Sequence, residues 1–386
     1  MPDLFAETIN FFENVIKKWH NIVRRFLICP LIENHMDYKR TLDNNIIKFF
    51  RNLISISFTL PNYLPFTLKT LLSQVKGIRQ RRYWKKRGLE VPPVLIASIT
   101  NRCNLKCSGC YNSQRENTSG NDMEREIFLK ILYEATEIGS RIVFISGGEP
   151  MTRQDILGTT IDFPEILFPL FTNGILINEK HASAWKKQKN IIPILSLEGG
   201  NIETDYRRGN GVYEKVKKAA QILNKSGILF GHSMTATVEN FELLTELSFI
   251  RDLYNNGARV FIFVEYQPFD DSKSFTPLNQ NDKTAFLERV ESLRKSLPGI
   301  FIEFPGEEEQ YGGCLSAGRG FIHISADGSL EPCPFSPFSD SNLKKSSLKD
   351  ALRSVFLRRI RESHEKLSEV SGCALIEKRE WVKSLL

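Results

Sequence analysis

The sequence predicts an α/β fold: a partial (β/α)6 parallel barrel, preceded by a helical segment and followed by a small C-terminal α+β domain. Three observations predict it. Between residues 94 and 264 short β-branched runs alternate six times with amphipathic helical stretches, the pattern of a parallel sheet with helices outside it. Right-handed crossovers then leave a barrel or a doubly wound sheet. Each of the six runs also ends in polar, chemically capable residues, and a single face that collects them all is the carboxyl face of a barrel. Before residue 93 and after residue 300 the alternation is absent.

Taken in order, the strand-like runs are Val94–Ile99, Arg141–Ile145, Leu167–Phe171, Ile191–Leu197, Ile228–Thr235 and Ala258–Val264. Helical periodicity falls between them at Glu124–Ile138, Glu179–Lys187, Tyr213–Lys225 and Glu242–Asn255. This places residues 93–300 in the barrel. Residues 1–92 read as helices. Phe12, Val15, Ile16, Trp19, Ile22, Val23, Phe26 and Leu27 recur at helical spacing with Lys17, Lys18, Arg24 and Arg25 largely between them, until Pro30 ends the pattern. A second apolar stretch runs from Ile46 to Leu60 and stops at Pro61. A third runs from Phe66 through Ile78 into the basic cluster Arg79, Arg81, Arg82, Lys85, Lys86 and Arg87.

The charge is uneven. Of a net +7, residues 1–92 carry 16 Lys and Arg against 7 Asp and Glu, or +9, which leaves −2 for the remainder. A basic amphipathic segment suits either a helical cap on the main domain or an interfacial contact with anionic lipid headgroups. It lacks any recognisable nucleic-acid-reading module, so no nucleic-acid partner is expected. No apolar stretch long enough to span a bilayer is free of charges and prolines, and the expected location is cytoplasmic, peripheral to a membrane if the basic segment binds one.

The sharpest motif follows the first strand: Thr100-Asn-Arg-Cys103-Asn-Leu-Lys-Cys107-Ser-Gly-Cys110-Tyr111. Structural zinc takes four closed ligands, commonly in two spaced pairs, which this run does not offer. An odd trio without a secretory signal makes a poor disulfide framework. Thiolates that suit an iron–sulfur cluster remain, and four irons on three thiolates leave one iron open. The other strand ends carry Ser146-Gly147-Gly148-Glu149-Pro150, Thr172-Asn173-Gly174, Ser196 with Glu198-Gly199-Gly200, Thr235 and Thr237, and Glu265-Tyr266-Gln267.

The Cys-x3-Cys-x2-Cys run with Gly-Gly-Glu-Pro after the next strand resembles the radical S-adenosylmethionine (radical SAM) enzymes, over roughly residues 94–270. The resemblance implies that Cys103, Cys107 and Cys110 hold a [4Fe–4S] cluster whose open iron chelates the methionine moiety of S-adenosylmethionine. Gly147, Gly148, Glu149 and Pro150 would cradle that moiety, with Glu149 accepting from its ammonium. Ser196 matches a ribose contact and Arg208 a carboxylate contact; Asn173 is a further candidate, more often a turn residue. Many family members have an aromatic residue before the third cysteine; here it is Gly109, and Tyr111 is the candidate to stack on the adenine. Glu265 and Tyr266 are candidates for the substrate pocket, Glu265 alternatively for a pair with a barrel arginine.

Beyond the barrel, Phe321–Ser325, the turn Ala326-Asp327-Gly328 and Ser329–Glu331 read as a hairpin that delivers Cys333. Cys314 precedes it, and Cys373 follows a helix expected over Leu348–Leu367. Residues 301–386 thereby resemble the SPASM domain in its shortened form, twitch, which implies a second, auxiliary [4Fe–4S] cluster on Cys314, Cys333 and Cys373. A fourth cysteine is missing, since Cys29 stands far away in sequence and reads as a core residue. His323 is the nearest imidazole, though a hairpin histidine is more often a surface or cross-strand residue; zinc on this trio is the alternative metal. The function implied is reductive cleavage of S-adenosylmethionine to a 5′-deoxyadenosyl radical that takes hydrogen from a peptide, a small molecule or a lipid. The electron donor would be a flavodoxin or ferredoxin. A non-catalytic iron–sulfur or zinc scaffold at the membrane surface is the alternative.

Overall fold

The computed structural model describes residues 38–386 apart from 58, 115–121, 269–273, 305–310 and 368–372. The amphipathic stretch Phe12–Leu27 and Cys29 lie outside the described residues. Two helices come first: α1 (Tyr38–Ser57) and α2 (Leu64–Lys85), separated by a turn at Pro61–Tyr63. The helix of the second apolar stretch ends at Ser57, before the expected stop at Pro61, which instead opens the turn.

The strands are β1 (Val94–Ser98), β2 (Ile142–Ser146), β3 (Phe168–Thr172), β4 (Ile191–Ser196), β5 (Gly231–Ala236), β6 (Val260–Glu265), β7 (Ile300–Phe304), β8 (Phe321–Ile324) and β9 (Leu330–Glu331). Among the described residues they form one sheet in the order β7-β6-β5-β4-β3-β2-β1-β8-β9. All neighbours are parallel except the β8–β9 hairpin. The six expected strands are present and consecutive, which bears out the parallel barrel. A seventh, β7, extends it past residue 300, and β8 adds to the far edge of β1, pairing Val94 with Phe321 and Ile96 with His323. The boundary expected at residues 300/301 therefore falls inside a strand.

The sheet is curled but open. The Phe304 ring at the end of β7 lies 5.2 Å from that of Phe321 at the start of β8, so the two flanks of the opening meet through aromatic side chains. Because strand residues alternate sides, the core divides into two layers. Leu95, Val143, Leu170, Leu195, Phe261 and Phe263 face outward against helices such as α3 (Arg125–Ile138) and α6 (Val212–Lys225). Ile142, Ile192, Ile194, Val260, Ile262 and Ile300 face the lumen. There α1 closes the floor with Ile46, Ile47, Phe50 and Leu53, of which Phe50 is wholly buried. The aliphatic residues read as a helical cap do act as one.

Two expected helices are broken. Glu242–Asn255 becomes Phe241–Leu244 and Leu247–Asn255, while Leu348–Leu367 becomes Leu348–Leu352, Val355–Glu362 and a 3-10 turn. In the second case Ser354 restarts the helix by accepting from the Leu357 amide at 3.1 Å, the capping role serine favours over a helix interior.

His232 on β5 faces outward, buried beneath the helices, and burial pushes its pKa from 6.5 down to about 4. The neutral ring is thus the folded form, whereas an unfolded chain takes up the proton below pH 6.5. Stability should be full above pH 6.5 and fall by about 3 kcal/mol as the pH drops toward 4. Denaturant unfolding across that range should show this decline, and His232→Gln should flatten it.

Candidate functional site

The loop after β1 carries the first cysteines, and its shape is set by what lies beneath it. Asp122 receives Thr100 Oγ1 at 2.9 Å, the Asn101 amide at 3.1 Å and Arg102 Nε at 2.8 Å. Arg153 NH1 reaches the Ile99 carbonyl and its NH2 the Met123 carbonyl, at 3.2 and 2.8 Å. One carboxylate and one guanidinium therefore fix the loop's start.

The strap after β2 then continues the β1–β2 ladder beyond the sheet. The Gly148 amide donates to the Thr100 carbonyl at 2.7 Å and the Glu149 amide to the Arg102 carbonyl at 2.8 Å. This close approach requires glycine. A Cβ on Gly147, whose φ is +126°, would stand 2.3 Å from the Thr100 carbonyl oxygen, and one on Gly148 would stand 2.1 Å from that of Arg102.

Glu149 is almost wholly buried. Its Oε1 accepts from the Met151 amide at 2.9 Å and from Thr172 Oγ1 at 2.7 Å, and its Oε2 from the Asn173 amide at 2.8 Å. Burial pushes the carboxyl pKa up, and these three donors oppose it. Its carboxylate ties the strap to the end of β3. Asn173 joins the same lattice, giving Nδ2 to Asn104 Oδ1 at 2.7 Å and taking the Ile175 amide at 3.1 Å. It is at once a turn residue and a tie to the cysteine loop. Pro150 is buried at the start of a short 3-10 turn that Glu149 caps.

On the other side stands a charged node. After β4, α5 (Asn201–Arg208) ends in two arginines that both meet Glu198: Arg207 NH1 lies 3.0 Å away and Arg208 Nε donates at 3.0 Å. The second Glu198 oxygen accepts from the Thr235 amide at 3.0 Å. Burial works against the Arg208 charge, but Glu198, then Cys107 and Cys110, outweigh it and hold the guanidinium above its ordinary pKa. Reciprocally, burial pushes the Cys107 thiol up while Arg208 pulls it down. Arg208 therefore faces the cysteines with its charge partly spent on Glu198. The Ser108 amide donates to the Arg207 carbonyl at 2.8 Å, clamping the middle of the cysteine run to α5. Ser196 ends β4 half-buried on the lumen side, opposite Ser233.

Three further placements complete the surroundings of the cysteine run and the strand ends. Gly109 has φ +63°, and a Cβ there would meet the Tyr266 ring at 3.0 Å; Tyr266, packed edge-on to Phe275 at 5.7 Å, fills the space beside this glycine. Tyr111 packs edge-on at 5.6 Å against Phe335, in the turn that carries Cys333. Glu265 faces outward to Lys283 Nζ at 2.9 Å, an ion pair with a helix lysine and not a pocket wall.

The C-terminal cysteines sit on three segments. The Ala317 amide donates to the Pro332 carbonyl at 3.0 Å, joining the turn after Cys314 to the strand that leads to Cys333. Cys373 starts a short helix, and Arg379 nearby lies over the Phe338 ring at 5.0 Å. His323 is fully buried. It bonds Glu331 across the hairpin through Nδ1 at 2.6 Å and Ser98 through Nε2 at 2.8 Å. Both ring nitrogens are engaged, so it is a cross-strand residue and not a missing ligand. Cys103, Cys107 and Cys110 are free thiols, and among the described residues no three His, Cys, Asp or Glu are arranged to hold a single metal ion.

Burial pushes the Cys103 and Cys107 thiols up, and two groups pull against it, as the thiolates of a cluster would need. The Leu105 amide points at Cys103 Sγ from 3.4 Å, and Arg208 supplies positive charge beside Cys107 and Cys110.

Residues 97–246 match the radical SAM superfamily. The chain is 30% identical over 254 residues to a probable GTP 3′,8-cyclase of Methanococcus vannielii, a match covering 61% of this chain and 82% of that protein. The chain belongs to the radical SAM superfamily. It is also 24% identical over 316 residues to the AdoMet-dependent heme synthase of Methanosarcina barkeri, covering 73% of this chain and 88% of that enzyme. In fold it is similar to Streptococcus suis SuiB bound to the precursor peptide SuiA, with a TM-score of 0.64, 20% identity, and coverage of 81% and 77% of the two chains. As a radical SAM enzyme the chain uses S-adenosylmethionine and a [4Fe–4S] cluster to cleave the former reductively, and its chemistry is radical chemistry on a substrate. Among the described residues no helix is long and apolar enough to cross a membrane.

The Gly148–Arg102 contact leaves no room for even a methyl group. Gly148→Ala should push the strap off the cysteine loop, with iron content and 5′-deoxyadenosine formation both falling at least about tenfold while far-ultraviolet circular dichroism stays unchanged.

Proposed function

We propose that Cys103, Cys107 and Cys110 hold the cluster that cleaves S-adenosylmethionine, and that Cys314, Cys333 and Cys373 hold a second, auxiliary [4Fe–4S] cluster. The strap Gly147–Pro150 would present its backbone to the methionine moiety, with Ser196, Asn173 and Arg208 lining the same mouth. Tyr111 and Tyr266 are the aromatic rings adjoining the cysteine run, available to the adenine. The auxiliary reading rests on the ties between the cysteine-bearing segments and on the Tyr111–Phe335 contact, which puts the Cys333 turn beside the first loop. Reduction would come from a flavodoxin or ferredoxin.

We further propose a peptide substrate. The observation that carries it is the likeness to SuiB in complex with a precursor peptide: its 81% of this chain exceeds what residues 93–300 alone make up, so it runs beyond the barrel. Anaerobic reconstitution should give about eight irons per chain. Cys103→Ser should lose 5′-deoxyadenosine formation, whereas Cys333→Ala should drop to about four irons and still cleave S-adenosylmethionine. A Cys333→Ala protein with the parent's iron content would sink the second cluster. A short peptide encoded beside this chain should change mass only when S-adenosylmethionine and reductant are both present; an unchanged mass would remove the peptide reading.

A second reading concerns α2, whose exposed face carries Leu68, Leu72 and Tyr83 beside Lys76, Arg79, Arg82 and Lys85–Arg87. Apolar and basic side chains on one helix face suit the surface of an anionic membrane. Flotation with phosphatidylserine vesicles should weaken when Lys85, Lys86 and Arg87 are changed to Glu, and unchanged flotation would discard this contact.

A further inference from the structure

The lumen has two tiers. At the carboxyl ends of the strands it is polar, with Ser98, Ser146, Ser196, Ser233 and His323 on the inward side. Below them it is apolar, and there a cavity of about 180 Å3 lies between the strands and the α1 floor. Its wall includes Val94, Ile142, Phe144, Ile194 and Ile262, with Phe49 rising from α1. Asn45, the polar side chain in that wall, gives its amide to the Tyr311 hydroxyl at 2.6 Å, so its hydrogen-bonding capacity is directed at a partner.

The recess is partly open, and its lining is almost wholly apolar. Water finds almost no partners in it, and apolar cavities of about 150 Å3 stay dry and admit benzene or xenon. Its position gives it a use. Ile194 is two residues below Ser196 on β4, and Val94 four below Ser98 on β1. At about 3.3 Å per residue, the cavity lies roughly 7–13 Å beneath the polar tier. The cysteine loop and the glycine strap leave the strands at that tier, where chemistry takes place in barrels of this kind.

We infer that the barrel floor is a binding pocket for the apolar end of the substrate, a group the size of a benzene ring or a short branched alkyl chain, held below the carbon that reacts. The inference rests on the reading of the barrel lumen as the substrate site. With a peptide substrate, the occupant is an aliphatic or aromatic side chain that reaches down from the backbone at the mouth. The pocket then selects by size and hydrophobicity, and Ser146, Ser196 and Ser233, half-buried on the lumen side, meet the polar part.

The test uses the anaerobically reconstituted holoenzyme with benzene as probe. The parent should bind benzene saturably, with a rise in thermal midpoint. Ile262→Phe and Ile142→Phe, which fill the cavity from two different strands, should each weaken binding by at least about tenfold. Substrate-free cleavage of S-adenosylmethionine should stay within about twofold of the parent, since neither residue touches the cysteine loop or the strap. If cleavage is lost through misfolding, Val94→Leu and Val260→Leu replace them and should give smaller losses of the same kind. Absence of saturable binding to the parent, or binding that survives every filling variant, overturns the inference. Benzene binding needs no peptide: a chain that processes a peptide yet does not bind benzene refutes the pocket and leaves the peptide reading, while the converse outcome does the reverse.

Discussion

The mouth of this barrel depends on one backbone contact, the passage of Gly147 and Gly148 beneath the carbonyls of Thr100 and Arg102. Two hydrogen bonds extend the β1–β2 ladder past the ends of both strands, and they form only where no side chain intervenes. Once the strap is down, Glu149 turns inward and finds three donors on two elements. An unpaired carboxyl at that depth would be costly, so the same residue that needs the strap in place also holds it there.

The charged side of the mouth obeys a similar economy. Glu198 gathers Arg207, Arg208 and the Thr235 amide; Arg208 in turn faces the cysteine run, and Arg207 clamps Ser108. A bare guanidinium beside thiolates would bind them directly. Shared with a carboxylate, it contributes field without forming a bond, the kind of influence by which a protein tunes a metal centre from a distance. The cysteines are thus held between a strap built on hydrogen bonds and a polarised wall built on ion pairs.

Much of the frame was legible because it is local. Six strands and the helices between them carry their periodicity in consecutive residues, and the polar residues at their ends can be read off in order. β7 escaped because Ile300–Phe304 carries Glu303 within its short apolar run and follows a long polar helix, so its pattern is weaker than that of the six strands before it. The broken helix after Leu348 escaped because a serine in an otherwise helical pattern is ambiguous until it is seen to cap. At the site, the residue types were legible but not their partners. Nothing near Gly109 in the sequence announces Tyr266, more than 150 residues later, and nothing near Tyr111 announces Phe335. Nor does the strap itself announce the donors on Thr172 and Asn173 that Glu149 binds.

The hairpin beside β1 has a consequence for how this chain is divided. β1 would otherwise be an edge strand, with a row of unpaired amides and carbonyls, and such edges recruit other chains. β8 covers that row over four residue pairs, and β9 then covers part of β8. The C-terminal segment is therefore also the selvedge of the sheet, the woven border that stops it unravelling into its neighbours. Cut away, it would take with it the protection of the strand that leads to the first cysteine, so the barrel and its extension fold and persist as one fabric.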